Sequence, residues 1–206
     1  MKNMVKLIGI AALAAAIGIT AASCDDGSGR GGNSGGNSGG NSGGSSPYKL
    51  EKSQSYSANG DLTGYTEYEY DSNGNQTKNC SYDKNGNLTS GYYEYEYDSK
   101  GNRTKESSYD KNGDLSSYYV YEYDSKGNET KSSSYIKNGD LSSYYVYEYD
   151  SKGNQTKLSS YDKNGDLSSY SVYEYDSNGN ETKLSSYDKN GDLTRYTVYT
   201  YIKFGL

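Results

Sequence analysis

The stretch Tyr121–Val146, YEYDSKGNETKSSSYIKNGDLSSYYV, is the unit from which this chain is built. It returns as YEYDSKGNQTKLSSYDKNGDLSSYSV from Tyr147 and as YEYDSNGNETKLSSYDKNGDLTRYTV from Tyr173. Earlier copies begin at Tyr68 and Tyr95, so successive copies start 26 or 27 residues apart. Self-similarity at such a period predicts a repeat architecture in which each unit packs against its neighbours.

Each unit contains two turn signals of one type, exemplified by Asp124-Ser-Lys-Gly-Asn128 and Asp110-Lys-Asn-Gly-Asp114. The Asp side chain can accept the backbone N–H two residues on, which favours a turn. Gly in the fourth position supplies the left-handed conformation of a type I turn with a G1 bulge. The glycines predicted to occupy such turns are Gly74, Gly86, Gly101, Gly113, Gly127, Gly139, Gly153, Gly165, Gly179 and Gly191.

The segments between the turns have the character of β-strands. Leu115–Tyr123 and Glu129–Tyr135 are rich in Tyr, Thr and Val or alternate in polarity, which suits a pleated, half-buried surface. Short glycine-containing loops join antiparallel neighbours, since parallel neighbours need long crossovers. The sequence therefore predicts an all-β fold: an extended antiparallel meander of hairpins with about 12 strands, in a single-layer or curled sheet. Helix is expected only in the N-terminal signal.

The pattern is departed from at three places. Ser90-Gly91 stand where other copies have one residue fewer, which predicts a bulge in that strand. Ile136 replaces the first Asp of a turn, so that turn is expected to lose the Asp hydrogen bond. Cys80 stands where other copies have Ser107, Ser133, Ser159 and Ser185, and we interpret it as a small-residue replacement.

One face of the sheet is expected to be a field of tyrosines with Lys and Gln. A single bulge per turn predicts the pairs Tyr149–Gln155, Tyr147–Lys157 and Tyr145–Ser159, with Leu141 and Tyr161 on the same side. The other side would then carry Tyr144, Val146 and Glu148 with Thr156, Leu158 and Ser160. The possible binding face comprises Tyr119, Tyr121, Tyr123, Tyr145, Tyr147, Tyr149, Tyr173 and Tyr175. The alternative is that most tyrosines only hold a thin sheet together.

Composition argues against several functions. The net charge of −6 disfavours nucleic acid as a partner. Histidine is absent, so a His-assisted nucleophile and a His metal site are impossible. The repeated Glu122, Glu148 and Glu174 share one environment, whereas paired acid–base chemistry needs two different environments. We expect these glutamates to be cross-strand partners of Thr or Lys, and we expect no enzymatic activity, cofactor or metal.

The segment Asp110-Lys-Asn-Gly-Asp114 is similar to the start of a calcium loop. Such a loop has Gly in its sixth position and a bidentate Glu in its twelfth. Those positions hold Leu115 and Tyr121. The turn interpretation accounts for the same residues, so calcium is not expected to bind.

The N-terminal region predicts a bacterial lipoprotein. Residues 1–23 contain Lys2 and Lys6 followed by an apolar run, as in a signal peptide. Ala21-Ala-Ser-Cys24 resembles a lipobox, which implies lipidation of Cys24 and a membrane as partner through that anchor. The alternative is an ordinary secretory signal with an incidental cysteine. Residues 24–47 then form a flexible Gly/Ser/Asn tether, and residues 48–206 form the repeat domain.

The repeated Tyr-Asp-x-x-Gly-Asn motif resembles the YD repeat of Rhs-type bacterial surface and toxin proteins. It is found at Tyr70–Asn75, Tyr97–Asn102, Tyr123–Asn128, Tyr149–Asn154 and Tyr175–Asn180. The resemblance implies a sheet-forming role for the Tyr, Asp and Gly positions. In that family many repeats form a spiralling sheet around a cargo polypeptide. Aromatic hairpin repeats of cell-wall-binding proteins are a second, weaker resemblance.

These observations predict an envelope lipoprotein, periplasmic or surface-exposed, whose tyrosine-rich sheet serves binding or adhesion with a glycan or protein partner. The alternative is a purely structural envelope protein, or a shell-like YD-repeat fragment, without a dedicated ligand.

Overall fold

The fold is given by a computed structural model that describes residues 48–203. It contains twelve β-strands and, within these residues, no helix long and apolar enough to cross a membrane. The signal helix, Cys24 and the tether lie outside the described residues. The strands are β1 (Lys52–Tyr56), β2 (Leu62–Tyr70), β3 (Gln76–Asp83), β4 (Leu88–Tyr97), β5 (Arg103–Tyr109), β6 (Leu115–Tyr123), β7 (Glu129–Ile136), β8 (Leu141–Tyr149), β9 (Gln155–Asp162), β10 (Leu167–Tyr175), β11 (Glu181–Asp188) and β12 (Leu193–Val198).

All twelve strands form one open antiparallel sheet in which the order along the sheet is the order along the chain. The predicted all-β meander of about twelve strands is therefore confirmed. Each repeat contributes one even-numbered strand, which begins with Leu, and one odd-numbered strand, which carries the repeated Lys. Strands β1 and β12 form the two edges.

The turns have the geometry that their Asp and Gly residues predict. At Asp150–Asn154, the Gly153 amide donates to the Asp150 carbonyl (3.1 Å) and the Asp150 amide donates to the Asn154 carbonyl (2.9 Å). The Asp150 carboxylate accepts the amides of Lys152 and Asn154 at 2.8 and 2.9 Å. Gly153 has a φ of 90°, and all ten glycines predicted at turns have positive φ. The Ile136 turn lacks the carboxylate, and there Asn138 Oδ1 accepts the Asp140 amide instead.

Every hairpin also contains a second bulge, which the sequence prediction missed. Tyr149 pairs with Gln155 as expected, but Glu148 then pairs with Lys157, so Thr156 is an extra residue in β9. The Thr156 hydroxyl donates to the Glu148 carbonyl at 3.2 Å, which helps to hold the bulge. Equivalent shifts follow each of the other turns.

This second bulge corrects the predicted faces. Tyr147 pairs with Leu158 rather than Lys157, and Tyr145 pairs with Ser160 rather than Ser159. Because side chains alternate, every residue of β9 beyond the bulge lies on the face opposite to the one predicted. Leu158 and Ser160 share the face of Tyr145 and Tyr147. Lys157, Ser159 and Tyr161 share the face of Tyr144, Val146 and Glu148.

The bulge predicted at Ser90-Gly91 is confirmed. The pairing of β3 with β4 shifts between Cys80 and Tyr82, and Gly91 has a φ of 108°. A Cβ on Gly91 would overlap the backbone carbonyl of Tyr109 in the neighbouring strand. Glycine is therefore required here both by conformation and by the close approach of a second backbone.

The face that carries Lys157 and Tyr161, called the lysine face below, is closely packed by cross-strand contacts. Tyr144 stacks on Tyr161 with ring centroids 4.7 Å apart, and Lys131 Nζ lies 4.8 Å from the Tyr144 ring centroid. Lys131 also forms an ion pair with Glu122 at 3.7 Å, so one lysine connects three strands. The expectation that Glu122, Glu148 and Glu174 pair with Lys is thus confirmed, the other partners being Lys157 and Lys183.

Small residues lie beneath these contacts. Ser159 is only 2% exposed, and Ser107, Ser133 and Ser185 are buried at equivalent positions. Cys80 is buried in the same place in β3, where it packs with Tyr82 and Tyr92. This position is enclosed by neighbouring strands on both sides, and a small side chain, Ser or Cys, fills it in β3, β5, β7, β9 and β11.

Candidate binding face

The face opposite the lysine face, called the candidate face below, carries the eight tyrosines that the sequence indicated. Alternation from Tyr145 and Tyr147 places Tyr149 on this face, and the same holds for the equivalent tyrosines of β6 and β10. These residues divide into three groups according to their place along the strand.

The last tyrosine of each even strand from β2 to β10 is held by a hydrogen bond to a backbone carbonyl. The Tyr149 hydroxyl donates to the Glu129 carbonyl at 2.8 Å, at the start of the neighbouring odd strand. Tyr123 and Tyr175 donate in the same way to the carbonyls of Arg103 and Gln155. Burial raises the pKa of all three phenols. These tyrosines join neighbouring strands at the ends next to the turns and have a structural role.

The second group comprises Tyr121, Tyr147 and Tyr173, which are half-buried. The Tyr121 hydroxyl donates to Glu106 at 3.5 Å, and the Tyr147 hydroxyl lies 3.4 Å from Ser132 Oγ. Burial, followed by the charge of Glu106, raises the pKa of Tyr121 to about 12. Burial also raises the pKa of Tyr147 and Tyr173. These phenols are fixed in position but retain part of their rings at the surface.

The third group is the most exposed. Tyr119 is 42% exposed and Tyr145 is 40% exposed, and Tyr93 of β4 is 44% exposed. Tyr145 is flanked by Ser132 in β7 and Ser160 in β9, which are too short to cover its ring. In β10 the equivalent position holds Ser171.

Pairing across three strands places a fixed and an exposed tyrosine on either side of one odd-strand residue. Tyr121 pairs with Ser132, and Ser132 pairs on its other side with Tyr145. The two tyrosines are therefore about 9.5 Å apart, twice the strand spacing. We call this arrangement a slot. Three slots are present in the described residues: Tyr68–Asn79–Tyr93, Tyr95–Glu106–Tyr119 and Tyr121–Ser132–Tyr145.

The slots differ from the lysine face in what fills the space between the rings. On the lysine face tyrosines are direct cross-strand partners with centroids 4.7–4.8 Å apart, so nothing can enter between them. On the candidate face Asn79, Glu106 or Ser132 lies between the two tyrosines. Aromatic rings stack at centroid distances from about 4.5 Å, so strands about 9.5 Å apart leave the spacing of one flat group between two tyrosines. In the Tyr95–Glu106–Tyr119 slot that place is taken by Arg103, whose guanidinium lies 4.4 Å from the Tyr95 ring centroid and pairs with Glu106 at 2.7 Å.

Tyr68, Tyr93 and Tyr95, which belong to the same slots, were not predicted from the sequence. The central residues Asn79 and Glu106 were not predicted either. The alternation of Tyr within β2 and β4 was visible, but pairing them across β3 requires the second bulge and the Gly91 bulge. The extra residue at Ser90-Gly91 indicated the Gly91 bulge, whereas the second bulge was marked only by the repeated Thr or Ser after each turn.

No group of three His, Cys, Asp or Glu residues in the described part of the chain is arranged to hold a metal ion. The turn carboxylates that resemble a calcium loop are engaged by backbone amides. Asp110 accepts the amides of Asn112 and Asp114 at 2.8 and 3.0 Å. One carboxylate oxygen of Glu181 is buried without a hydrogen-bond donor among the described residues.

No protein-family model matches the chain, and no curated protein matches it. Among solved structures, the Tc holotoxin pore of Photorhabdus luminescens matches with a TM-score of 0.50 and 16% identity, over 71% of this chain and 8% of that chain. A complex of TcdB2 and TccC3 without the hypervariable C-terminal region matches with a TM-score of 0.42 and 15% identity, over 71% and 9% of the two chains.

A protein of unknown function from Bacteroides fragilis matches with a TM-score of 0.42 and 18% identity, over 53% of this chain and 93% of that chain. Of these three matches, only the one to the Tc holotoxin pore has a TM-score high enough to bear on the fold. The chain thus shares a repeated antiparallel sheet with part of that toxin, of which it spans about 8%.

Proposed function

We propose that the chain is a YD-repeat lipoprotein of the bacterial cell envelope whose candidate face binds a glycan or protein partner. The single observation that carries the binding role is the set of three slots. In each slot an exposed tyrosine and a fixed tyrosine lie two strands apart on one face, on either side of one odd-strand residue. A ligand with flat apolar faces and hydroxyl groups suits this arrangement, because it can stack on the rings and exchange hydrogen bonds with the phenols. The proposed role includes no catalytic step.

The repetition of the slot predicts that the binding affinity is shared among several weak sites. Stacking on one exposed aromatic side chain contributes about 0.5–1.5 kcal/mol, so one slot binds weakly. Slots in one sheet would act together, since engagement of the first raises the effective concentration at the next. An extended polymer, such as a polysaccharide, would therefore bind more tightly than its monomer.

A binding experiment on the purified full chain tests this proposal. Glycan arrays and a pull-down from envelope extracts would be compared between the native chain and Tyr119→Ser with Tyr145→Ser. Serine is the matched replacement because Ser171 occupies this position in β10. Glu122→Gln with Glu148→Gln, on the lysine face, is the control. Saturable binding that is lost only in the tyrosine variant supports the proposal, and binding that survives it contradicts the slot assignment.

A second candidate is a structural envelope protein without a dedicated ligand. The observation that favours it is the use of the Tyr123, Tyr149 and Tyr175 hydroxyls as backbone clamps. This candidate predicts no saturable ligand for the native chain, together with loss of envelope integrity when the protein is removed.

The envelope location rests on the leader. Two acyl chains are needed for stable anchoring, and a lipidated N-terminal cysteine of a lipoprotein supplies them. Cys24→Ser should move the full chain from the membrane fraction to the soluble fraction. If the variant still fractionates with membranes, the lipoprotein assignment is wrong while the binding role of the sheet remains open to test.

A further inference from the structure

Each of the two edge strands of the sheet exposes one tyrosine of a kind that is stacked on a second tyrosine in the interior. Each of the five even–odd strand pairs from β2–β3 to β10–β11 stacks one tyrosine on another across the pair. Tyr56 of β1 is equivalent to the stacked tyrosine of the interior odd strands, and Tyr196 of β12 is equivalent to that of the interior even strands. They have no stacking partner among the described residues and are 58% and 60% exposed.

The two edge strands are also of opposite type. β1 carries Lys52 and Tyr56 in the spacing of Lys78 and Tyr82, so it is an odd strand. β12 begins with Leu193 and carries Tyr196, as every even strand does. Within the described sheet, β1 lacks the even strand that would precede it and β12 lacks the odd strand that would follow it.

We propose that β12 of one copy pairs antiparallel with β1 of a second copy and so continues the sheet from molecule to molecule. The register follows from the β10–β11 pair, in which Tyr170 lies opposite Tyr187 and Val172 lies opposite Ser185. In the joint, Tyr196 lies opposite Tyr56 and Val198 lies opposite Gln54. The edge tyrosines then form one more stack of the kind seen within the sheet.

Two residues in the joint differ from the interior repeat. Thr200 replaces the Glu that pairs with the odd-strand lysine in the interior pair Glu174–Lys183. The joint does not require that acid, because Lys52 already pairs with Glu67 of its own sheet at 3.0 Å. Gln54 stands where the interior odd strands have a buried serine or cysteine, so the joint must admit a larger side chain beside Val198, which is 61% exposed.

The contact is head-to-tail, so repeated association gives an open chain or a closed ring rather than a symmetric dimer. Both edge strands are short, with five and six residues. Short edges limit uncontrolled strand pairing, so the assembly is expected to depend on protein concentration. Copies tethered to one membrane would meet that condition more readily than copies in dilute solution.

Disulfide trapping tests the joint in the full chain. Gln54→Cys and Val198→Cys are made in separate preparations with different tags and then mixed under mild oxidation. Directly opposed residues have Cα atoms about 4.5–5.5 Å apart, which is within disulfide range. The proposal predicts a mixed dimer carrying both tags. It also predicts that adding Tyr196→Lys to the Val198→Cys chain reduces the yield at least several-fold.

Three outcomes would overturn the proposal. If either variant alone dimerises as well as the mixture does, the contact is symmetric. If Ser53→Cys is trapped with Val198→Cys as efficiently as Gln54→Cys is, the disulfide reports random collision. If no mixed dimer forms at any concentration, other residues cover an edge. The native chain, with only Cys24 and Cys80, is the background control.

Discussion

At the scale of single residues, the turn glycines connect sequence to stability most directly. Gly153 and Gly60 both have positive φ, and neither has a backbone atom near the position of a Cβ. The cost of an added methyl group is therefore conformational rather than steric contact with neighbours. Left-handed backbone costs a non-glycine residue about 1–2 kcal/mol.

Gly153→Ala should consequently lower the free energy of unfolding by about 1 kcal/mol or more. Gly60→Ala should lower the unfolding midpoint less, because it lies between the edge strand β1 and β2, and an end of a repeat array has only one neighbour. Urea unfolding followed by circular dichroism measures both changes. Ser151→Ala in the same turn is the control, and a stabilising effect of Gly153→Ala would contradict the turn geometry.

The turn aspartates predict an acid dependence of stability. The side-chain amide of Asn154 donates to the Asp150 carboxylate and holds the pKa of Asp150 below its usual value. The pKa values of Asp124 and Asp176 are lowered in the same way. A folded-state pKa below the unfolded value of about 3.9 gives stability that is full above that pH. It is lost as the pH falls through the folded-state pKa.

The urea midpoint should accordingly fall between pH 6 and pH 3, because protonation of many equivalent turn carboxylates removes their contribution to stability. Asp150→Asn keeps an acceptor oxygen but cannot titrate at this position, so its midpoint should fall less over the same range. A midpoint that is the same at both pH values would show that these carboxylates do not stabilise the fold.

At the scale of strands and hairpins, the terminal tyrosine of each even strand and the second bulge act together. The second bulge at Thr130 of β7 separates Glu129 from the regular pairing with β6, and β7 and β8 are paired only as far as Lys131 and Val146 at this end. The carbonyl of Glu129 is thereby left without a backbone partner in β8, and the Tyr149 hydroxyl supplies the missing donor.

Tyr149→Phe removes that donor while keeping the ring. Leaving a partly buried carbonyl unsatisfied should cost about 1–3 kcal/mol. Tyr145→Phe is the matched control, since Tyr145 is exposed and is expected to change stability by less than about 0.5 kcal/mol. Chemical unfolding of the two variants checks the difference. Equal stability of both variants would mean that the clamp contributes nothing.

The elements show where reading the sequence succeeds and where it stops. Asp and Gly at fixed offsets specify each turn locally, so the number of strands and the antiparallel order follow from the repeat. The second bulge is different, because Thr156 is extra only in relation to its partner strand. Its presence reverses the face of Lys157 and Tyr161, so the predicted tyrosine field with lysines was wrong.

The candidate face was predictable only in part for the same reason. Alternation along one strand places Tyr145 and Tyr147 together without any knowledge of the neighbouring strands. The slots depend on which odd-strand residue lies between two tyrosines, and that depends on the register. The division into clamped and exposed tyrosines likewise follows from contacts between strands.

At the scale of the whole molecule, the fold is held by polar aromatic contacts rather than by a large apolar core. Among the described residues, only Cys80, Tyr82 and Tyr92 are buried hydrophobic side chains. Stacked tyrosines, the lysines above them and the glutamates that pair with those lysines replace the core. Each repeat is thereby joined to the next, and stability should accumulate along the array.

Reliance on tyrosine predicts loss of the fold in alkali. Burial raises the pKa of many phenols above the unfolded value of about 10, that of Tyr121 to about 12. Such groups give stability that is full below pH 10 and is lost as the pH rises through their folded-state values. Tyrosinate absorbance and circular dichroism should change together above pH 10. Full ionisation of the tyrosines with an unchanged sheet spectrum would contradict this account.

The separation of the two faces is the central claim, and paired cysteines test it most directly. In a chain with Cys24→Ser and Cys80→Ser, the pair Tyr147→Cys with Leu158→Cys should form an intramolecular disulfide, because the two residues are direct partners on one face. Tyr147→Cys with Lys157→Cys should not, because their side chains point to opposite faces. The reverse result would mean that the second bulge is absent and that lysines share the tyrosine face.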